Sequence, residues 1–246
     1  MTTVPQEIIT AILYLLPVKP LIRFQCLSKP WCALINDPYF IKLHLHRSIE
    51  TDRESTLILE GIPGYYYYLV NFSNEDRNFG EAVKIKEALH RPKECTGIID
   101  SCNGLVCIRN WLNEIAIWNP LIRKYRKLPV PTEDSVKYNL AFGYDRVNDD
   151  YKVLRIPKFC RLIEVYSLRV HSWRRVEEEW PYSYRESSIY SRSAFLNGAF
   201  HWVVSLTNTS YRTKTIVAFD LSTEKFRVYA FPHKLEPRIG VSISQS

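Results

Sequence analysis

Apolar side chains at the start of the chain recur with the period of an α-helix. They occupy positions 8, 9, 12, 13, 15 and 16, which fall along one side of a helix and do not alternate as in a strand. Pro5 and Glu7 suit a first helical turn, because proline lacks an amide hydrogen that would be unpaired there and a carboxylate is stabilised by the positive end of the helix dipole. The pattern therefore predicts a first helix that ends before Pro17.

Proline and serine positions predict two more helices. Pro17 and Pro20 favour a turn, and a second helix is expected over 21–27. Ser28 is a good N-cap for a third helix, in which Pro30 is tolerated because it falls in the opening turn.

A fourth, short helix is predicted after Asp37-Pro38, ending near His44 and His46. Four helices of this length form too small a unit to bury two apolar faces each. Unburied apolar surface on such a bundle is typical of a partner-binding surface. The alternative is that this surface packs against the rest of the chain.

After residue 48 the pattern changes to that of β-strands. Residues 55–62 and 65–72 predict a hairpin around Pro63-Gly64, because both segments are rich in β-branched and aromatic residues. The polar segment 74–93 predicts a long loop with a short helix. Four consecutive tyrosines at 65–68 are typical of sheet packing, with a stacking platform for a base or sugar ring as the alternative.

An aromatic repeat organises the second half of the chain. Two aromatic residues seven positions apart occur three times, at intervals of 48 and 53 residues, each time after a strand-like run. We predict that the two members flank the turn of a hairpin and pack between neighbouring repeats. The pairs are Trp118 and Tyr125, Tyr166 and Trp173, and Phe219 and Phe226.

A second hairpin is predicted upstream of each aromatic pair. Asn103-Gly104 and Asn197-Gly198 are strong turn signals because both residues accept positive φ, and Asn148-Asp149-Asp150 supplies a third turn. Two hairpins per period of about fifty residues form a four-stranded blade, as in a kelch-type β-propeller. The predicted fold class is α+β, with a small N-terminal helical cassette followed by an all-β, partial propeller.

Composition places the chain among globular proteins. Its 246 residues are 46% hydrophobic and 24% charged, and six are cysteines. The longest apolar run near the start is six residues, so we predict neither a signal peptide nor a membrane-spanning segment, and we expect cytosolic or nuclear residence with free thiols. The net charge of +7 is denser in residues 1–48, which suits an acidic partner but is also ordinary solubilising charge.

Candidate catalytic and metal-binding groups do not form a typical site. The sequence has no glycine-rich phosphate loop, zinc-ligand spacing or nucleophile elbow, so we predict no metal, cofactor or catalytic residue. His44 and His46 are two positions apart, on different sides of a helix, and are predicted to face solvent. Asp145, Asp149 and Asp150 lie at a predicted turn, where aspartate commonly caps the backbone.

One dense basic run, Arg123-Lys124-Tyr125-Arg126-Lys127, has an aromatic residue at its centre, as nucleic-acid-binding segments often do. On a strand these side chains alternate between faces, so the charges cannot all line one groove. Nucleic-acid binding is therefore the weaker interpretation.

The N-terminal residues resemble a known motif, the F-box of the plant type, with Val4 where that family usually has leucine. The resemblance implies that the cassette docks on a Skp-type adaptor, which joins it to a cullin scaffold in an SCF ubiquitin ligase. It implies adaptor contacts, or their direct supports, at Val4, Pro5, Ile8, Ile12, Leu13, Leu16, Pro17, Leu21 and Trp31. The resemblance is carried by Pro5, Glu7-Ile8-Ile9, Ile12-Leu13, Leu16-Pro17-Val18-Lys19, Leu21, Arg23-Phe24, Cys26, Ser28-Lys29, Trp31, Leu34-Ile35, Asp37-Pro38 and Phe40.

The β region is similar to the F-box-associated, kelch-like region of plant F-box proteins, including the S-locus F-box proteins. This implies a non-catalytic substrate receptor, whose β region binds a target protein while ubiquitin is supplied elsewhere in the complex. The resemblance is carried by Ser101-Cys102-Asn103-Gly104-Leu105, Ile117-Trp118-Asn119-Pro120, Phe142-Gly143-Tyr144-Asp145, Asp150-Tyr151-Lys152-Val153, Val165-Tyr166-Ser167-Leu168, Phe195-Leu196-Asn197-Gly198, His201-Trp202 and Phe219-Asp220-Leu221.

The expected domains are the F-box at 1–47, a linker with a hairpin and loop at 48–94, and the propeller repeats at 95–246. Three full repeats are fewer than a closed propeller needs, so we expect a C-terminally truncated member with a sheet open at one side. Two other functions stay open. One is a decoy that binds the adaptor and recruits no target. The other is a propeller enzyme or glycan-binding module, which requires convergent carboxylates at the propeller axis.

Overall fold

The computed structural model describes residues 5–51, 54–61, 66–73, 77–85, 89, 96–129, 138–157, 162–182, 187–189, 193–206 and 213–232. Helices come first in the chain and strands follow, as the sequence predicts. The helices span Gln6–Leu15 (α1), Val18–Phe24 (α2), Lys29–Ile35 (α3) and Pro38–Thr51 (α4).

Three helix boundaries differ from the prediction, because α2 also ends at Phe24, before the predicted end at residue 27. Pro20 lies inside the first turn of α2, which begins three residues before the predicted start; proline is tolerated there because the first amides of a helix have no intrahelical acceptor. The predicted end of α4 near the histidines is wrong, since the helix continues to Thr51. Its additional turns are tied to α1, because Arg47 Nη1 donates a hydrogen bond to the Tyr14 carbonyl oxygen at 3.1 Å. Ser28 caps α3 as predicted, its Oγ accepting from the Trp31 amide at 3.2 Å.

The strands form four antiparallel sheets, which we call blades 1 to 4 in chain order. The predicted hairpin after residue 54 is confirmed as β1 and β2 of blade 1, while its Pro63-Gly64 turn lies outside the described residues. The predicted loop and helix over 74–93 is wrong where the chain is described, because β3 and β4 pair with β2 there. Blade 1 contains Glu54–Glu60 (β1), Tyr67–Ser73 (β2), Asn78–Phe79 (β3) and Val83–Ile85 (β4).

Blades 2 and 3 are four-stranded meanders in which each strand pairs with the next, and blade 4 adds a fifth short strand. Blade 2 contains Thr96–Cys102 (β5), Leu105–Asn110 (β6), Ile115–Asn119 (β7) and Lys124–Lys127 (β8). Blade 3 contains Tyr138–Asp145 (β9), Asp150–Pro157 (β10), Leu162–Ser167 (β11) and Ser172–Glu179 (β12). Blade 4 contains Ser187–Ile189 (β13), Ala194–Leu196 (β14), Ala199–Leu206 (β15), Thr213–Asp220 (β16) and Phe226–Ala230 (β17).

The blades pack face to face through their central strands. Along β7, Ala116 and Trp118 pack toward blade 1, whereas Ile115 and Ile117 pack toward blade 3. Both faces of the strand are therefore buried, which explains its unbroken apolar sequence. A third cluster joins blades 3 and 4 in the same way, and in the described part of the chain no such cluster joins blade 4 to blade 1.

The aromatic residues seven positions apart are direct cross-strand partners, as predicted, but the predicted packing between repeats is wrong for Tyr125, which is 54% exposed. Trp118 pairs with Tyr125, Tyr166 with Trp173 and Phe219 with Phe226, in the last hairpin of blades 2, 3 and 4 respectively. The first member of each pair packs against the preceding blade. The pairs thus fix both the hairpin register and the contact between blades.

The turn inside each aromatic pair contains a residue with positive φ that the sequence analysis missed. It stands five positions after the first aromatic each time, at Arg123 (φ 54°), His171 (φ 58°) and Glu224 (φ 56°). A side-chain oxygen four residues before the positive-φ residue closes the turn in all three blades: Asn119 Oδ1 accepts from the Leu121 amide, Ser167 Oγ from the Val170 amide and Asp220 Oδ1 from the Thr223 amide. These turns are stabilised by side-chain capping rather than by glycine.

Among the residues that the structure describes, polar bonds join the helical cassette to the β region at two exposed positions. Lys19 Nζ donates to Asn71 Oδ1 of β2 at 3.2 Å, and Lys42 forms an ion pair with Asp149 in the turn between β9 and β10. Both contacts are polar and solvent-exposed, so each contributes little to stability.

A close approach between blades 3 and 4 explains the glycine at position 143. A Cβ atom placed on Gly143 would lie 2.7 Å from the Phe195 ring, whereas one placed on Gly97 would have no neighbour nearer than 4.0 Å. Phe195 in turn packs against Phe200, with the ring centroids 5.2 Å apart.

We expect Gly143→Ala to lower the free energy of unfolding by about 1–3 kcal/mol, because the Phe195 ring must move out of its packed position. Urea unfolding followed by tryptophan fluorescence measures the change. Gly97→Ala is the matched control, and it should leave stability unchanged or slightly raised. Equal effects of the two substitutions would contradict the packing explanation.

Candidate functional site

The helical cassette has a small core that holds its four helices together. Leu13 of α1, Leu21 of α2, Ile35 of α3 and Phe40 of α4 are buried in one cluster. The indole of Trp31 meets the Phe24 ring edge-on, with the centroids 5.6 Å apart, and Leu16 packs on the same cluster. Leu13 and Leu21 therefore lie in the core of the bundle and Trp31 packs against it; the resemblance implies that all three are adaptor contacts or their direct supports.

The opposite side of α1 is apolar and exposed. Ile8 and Ile12 are each 51% exposed and Leu15 is 59% exposed, at the i, i+4 and i+3 spacing that places them on one face. Pro5 and Pro17, at the two ends of α1, are exposed as well. Pro5, Ile8, Ile12 and Pro17 are thus all exposed, whereas Leu13 and Leu21 are buried, and Val4 lies outside the described residues.

His44 and His46 behave differently from each other. His44 is buried, and its Nε2 donates a hydrogen bond to the Leu16 carbonyl oxygen at 2.8 Å, so the prediction that it faces solvent is wrong. His46 is exposed, as predicted, and lies 3.3 Å from the carboxylate of Glu50. The His44 bond holds the end of α1 against α4 and so positions the exposed face of α1.

A cavity of about 950 Å³ lies where the four blades meet. Its wall includes β1, the Asn103-Gly104 turn of blade 2, the turn after β9 in blade 3, and the Asn197-Gly198 turn of blade 4. Asn103 (φ 51°) and Gly104 (φ 75°) adopt the left-handed geometry predicted from the sequence, as do Asn197 and Gly198. These tight turns give the cavity a defined rim.

The carboxylates at the cavity are already engaged in the fold. Asp145 accepts from the amides of Val147 and Asn148 and lies 2.8 Å from Lys152 Nζ. Asp220 accepts from the amides and hydroxyl of its own turn. The Asp residues at these turns cap the backbone, as predicted for Asp145.

Lys152 links blade 3 to blade 4 from a buried position. Besides Asp145, its Nζ reaches the Leu221 carbonyl oxygen at 2.8 Å and Glu224 at 3.0 Å, and Glu224 also pairs with Arg174. Burial by itself would raise the pKa of Asp145 and of Glu224. The hydrogen bonds and charge of Lys152 lower both pKa values, and so do the hydrogen bonds from Asn148 to Asp145 and from Arg174 to Glu224. The pKa of each carboxyl group is therefore below its usual range.

The thiol that borders the cavity is not an activated nucleophile. Burial and the charge of Asp100 raise the pKa of Cys102 to about 12, so the thiol stays protonated at neutral pH. Together with the engaged aspartates, this leaves no activated acid, base or nucleophile among the residues that line the cavity in the described part of the chain.

The side chains of two further candidate surfaces, the tyrosine run and the basic run, form contacts within the fold. In the tyrosine run, Tyr67 is buried and donates to the Thr96 carbonyl oxygen, and the Lys84 ammonium covers the Tyr66 ring at 3.4 Å from its centroid. Tyr65 lies outside the described residues. The charges of the basic run diverge as expected, since Arg126 reaches the Leu168 carbonyl oxygen of blade 3 whereas Lys127 pairs with Glu114 of its own blade.

No cluster of three or more potential metal ligands occurs among the residues that the structure describes. Within the same residues, every helix is too short or too polar to cross a membrane.

Comparisons with known proteins match both parts of the chain. The F-box domain family matches residues 2–43 and the F-box associated beta propeller domain family matches residues 62–242. The F-box protein CPR1 of Arabidopsis thaliana is 31% identical over 94% of this chain and 61% of that protein, and an F-box/LRR-repeat/kelch-repeat protein of the same plant is 28% identical over 93% of this chain and 60% of that protein. The chain spans about three fifths of the length of these relatives.

Among solved structures, a puromycin-hydrolyzing peptidase of Mycobacterium tuberculosis resembles the chain at a TM-score of 0.44 and 11% identity, over 72% of this chain and 27% of that one. A likeness at this level carries no argument about activity.

We expect Lys152→Met to lower the free energy of unfolding at pH 7 by about 3 kcal/mol, because Asp145 loses the only cation that contacts it in the described residues and Glu224 loses one of two. Lys124→Met, on an exposed strand, is the control and should have little effect.

The difference between the wild type and Lys152→Met should shrink as the pH falls below about 4. The two carboxyl groups have lower pKa values in the folded protein than in the unfolded chain. Their contribution to the free energy of unfolding is therefore fully present above the pKa of the unfolded chain. It is lost as the pH falls through the pKa of the folded protein. Urea unfolding at a series of pH values between 7 and 3 tests this. A difference that stays constant across the series would show that the charges do not cause the effect.

Proposed function

The chain belongs to the F-box proteins that carry an F-box-associated β-propeller domain, and from this membership we propose that it is the substrate-recognition subunit of an SCF-type ubiquitin ligase. In this role the helical cassette binds a Skp-type adaptor, and through it a cullin scaffold. The β region binds a target protein. We place the protein in the cytosol or the nucleus, where such a complex acts.

The exposed apolar face of α1 is the observation that supports adaptor binding. Ile8, Ile12 and Leu15 lie on the outside of a helix whose other side is anchored by Leu13 in the cassette core. Burying this face against a partner removes apolar surface from water without changing the fold of the cassette. We therefore assign direct contact to Pro5, Ile8, Ile12 and Pro17, and support to Leu13, Leu16, Leu21 and Trp31.

The proposed contribution of the β region is proximity rather than chemistry. A target bound to the blades is held near ubiquitin that another subunit carries, and confining two reactants in this way supplies several kcal/mol toward the barrier. The engaged state of Asp145, Asp220 and Cys102 supports a non-catalytic role and offers no support to a propeller enzyme or a carboxylate-based glycan site.

We expect Ile12→Glu to weaken binding to a Skp-type adaptor by about 2 kcal/mol or more, because a charge replaces an apolar contact at the centre of the α1 face. Isothermal titration calorimetry with purified full-length chain and adaptor measures the affinity. The thermal unfolding midpoint should stay near that of the wild type, since the side chain is half exposed.

Two comparison variants separate contact from support. Val170→Glu changes an exposed apolar residue of blade 3 in the same way and should leave adaptor binding intact. Leu13→Ala should destabilise the cassette by about 2–5 kcal/mol because it empties a buried position. Wild-type affinity in Ile12→Glu would remove the α1 face from the proposed interface.

A further inference from the structure

The rim of the central cavity combines contributions from blades that are far apart in sequence. Asn103 of blade 2 and Asn197 of blade 4 stand at corresponding Asn-Gly turns, and the turn after β9 brings Arg146 and Val147 from blade 3. A space of about 950 Å³ is within the size range of ligand-binding pockets.

Arg146 differs from the other charged groups at the cavity. Asp145 is bound to Lys152 and to backbone amides, and Asp220 is bound within its own turn. The next carboxylate along the chain, Asp149, pairs with Lys42 and accepts from the Tyr144 hydroxyl at 2.6 Å. Within the described residues Arg146 has no ion-pair or hydrogen-bond partner, so the cavity offers one available positive charge and no available negative charge.

Apolar side chains stand beside this charge. Val147 is 78% exposed, and Leu196 of blade 4 and Leu57 of blade 1 are also exposed to solvent at the cavity. The Asn103 side chain is hydrogen-bonded to Tyr151, but its remaining amide capacity and the amide of Asn197 can donate and accept further hydrogen bonds. Positive charge, aliphatic surface and paired amide groups at one site complement an extended peptide, whose backbone alternates donors and acceptors and whose side chains supply the opposite charge.

We propose that this cavity binds a segment of the target protein in which an acidic side chain is flanked by aliphatic side chains. Arg146 pairs with the acidic group, Val147 and Leu196 contact the aliphatic groups, and Asn103 and Asn197 contact the peptide backbone. The proposal rests on the receptor function proposed above and specifies the chemistry of the target that the β region accepts.

Two peptide libraries test the proposal with the full-length chain. The peptides differ only at the central residue, Glu or Lys, with Leu and Val at flanking positions, and fluorescence anisotropy measures binding. The wild type should prefer the Glu library by about tenfold, since a charge-assisted pair at a cavity rim has roughly that effect on affinity. Arg146→Glu should reverse the preference toward the Lys library.

Two more variants control the experiment. Arg227→Glu makes the same change on the exposed strand β17 and should keep the wild-type preference. Leu196→Asn should weaken binding of both libraries, because it removes apolar contact without adding a charge. Near-ultraviolet circular dichroism checks that every variant is folded.

The proposal is overturned if the wild type binds neither library or shows no preference, or if the preference survives in Arg146→Glu. Titrating the same preparations with the Skp-type adaptor keeps this outcome separate from the receptor function. Adaptor binding with no peptide preference would reject the cavity alone, and loss of adaptor binding would reject the receptor function.

Discussion

The two apolar faces of each blade impose the main constraint on this molecule. A four-stranded meander cannot bury both faces by itself, so each blade depends on its neighbours, and blades 2 and 3 have a packed neighbour at both sides. Strand β7 shows this dependence on two neighbours most clearly. Its Ala116 and Trp118 pack toward blade 1, while Ile115 and Ile117 pack toward blade 3. The paired aromatics repeat this contact in blades 2, 3 and 4, and Lys152 adds a buried polar link between the last two. The turns at the ends of the strands are then free to differ without disturbing the packing.

The helical cassette buries only part of its apolar surface within itself. Its core is one cluster around Leu13, Leu21, Ile35 and Phe40, which uses only one side of α1. Ile8 and Ile12 remain exposed because no other element of the described chain covers them. In a monomer this surface is unfavourable in water, so its presence is best explained by a partner that buries it. In the proposed function the buried side of this helix stabilises the cassette and the exposed side binds the partner, so Leu13 and Ile12 differ in role although they are adjacent.

Much of this organisation could be predicted from the sequence, since regular features have local signals. Asn-Gly turns require positive φ, and aromatic residues seven apart pair across a hairpin. The wrong predictions concern features that depend on distant contacts. Strands β3 and β4 are too short to show a period and exist because β2 pairs with them. His44 is buried because α1 ends beside it, and Arg146 acquires its place at the cavity only when four blades converge.

The two surfaces of the chain are joined in a way that suits a receptor. The cassette contacts the β region through the Lys42 and Asp149 pair, and Asp149 lies in the same turn as Arg146 at the cavity rim. An exposed pair of this kind contributes at most about 1 kcal/mol, so it favours one orientation without enforcing it. The proposed receptor function requires that the distance between a bound target and the rest of the complex be limited, not fixed, because acceptor lysines would differ in position from one target to another. A weak contact beside the cavity satisfies that requirement better than a rigid interface would.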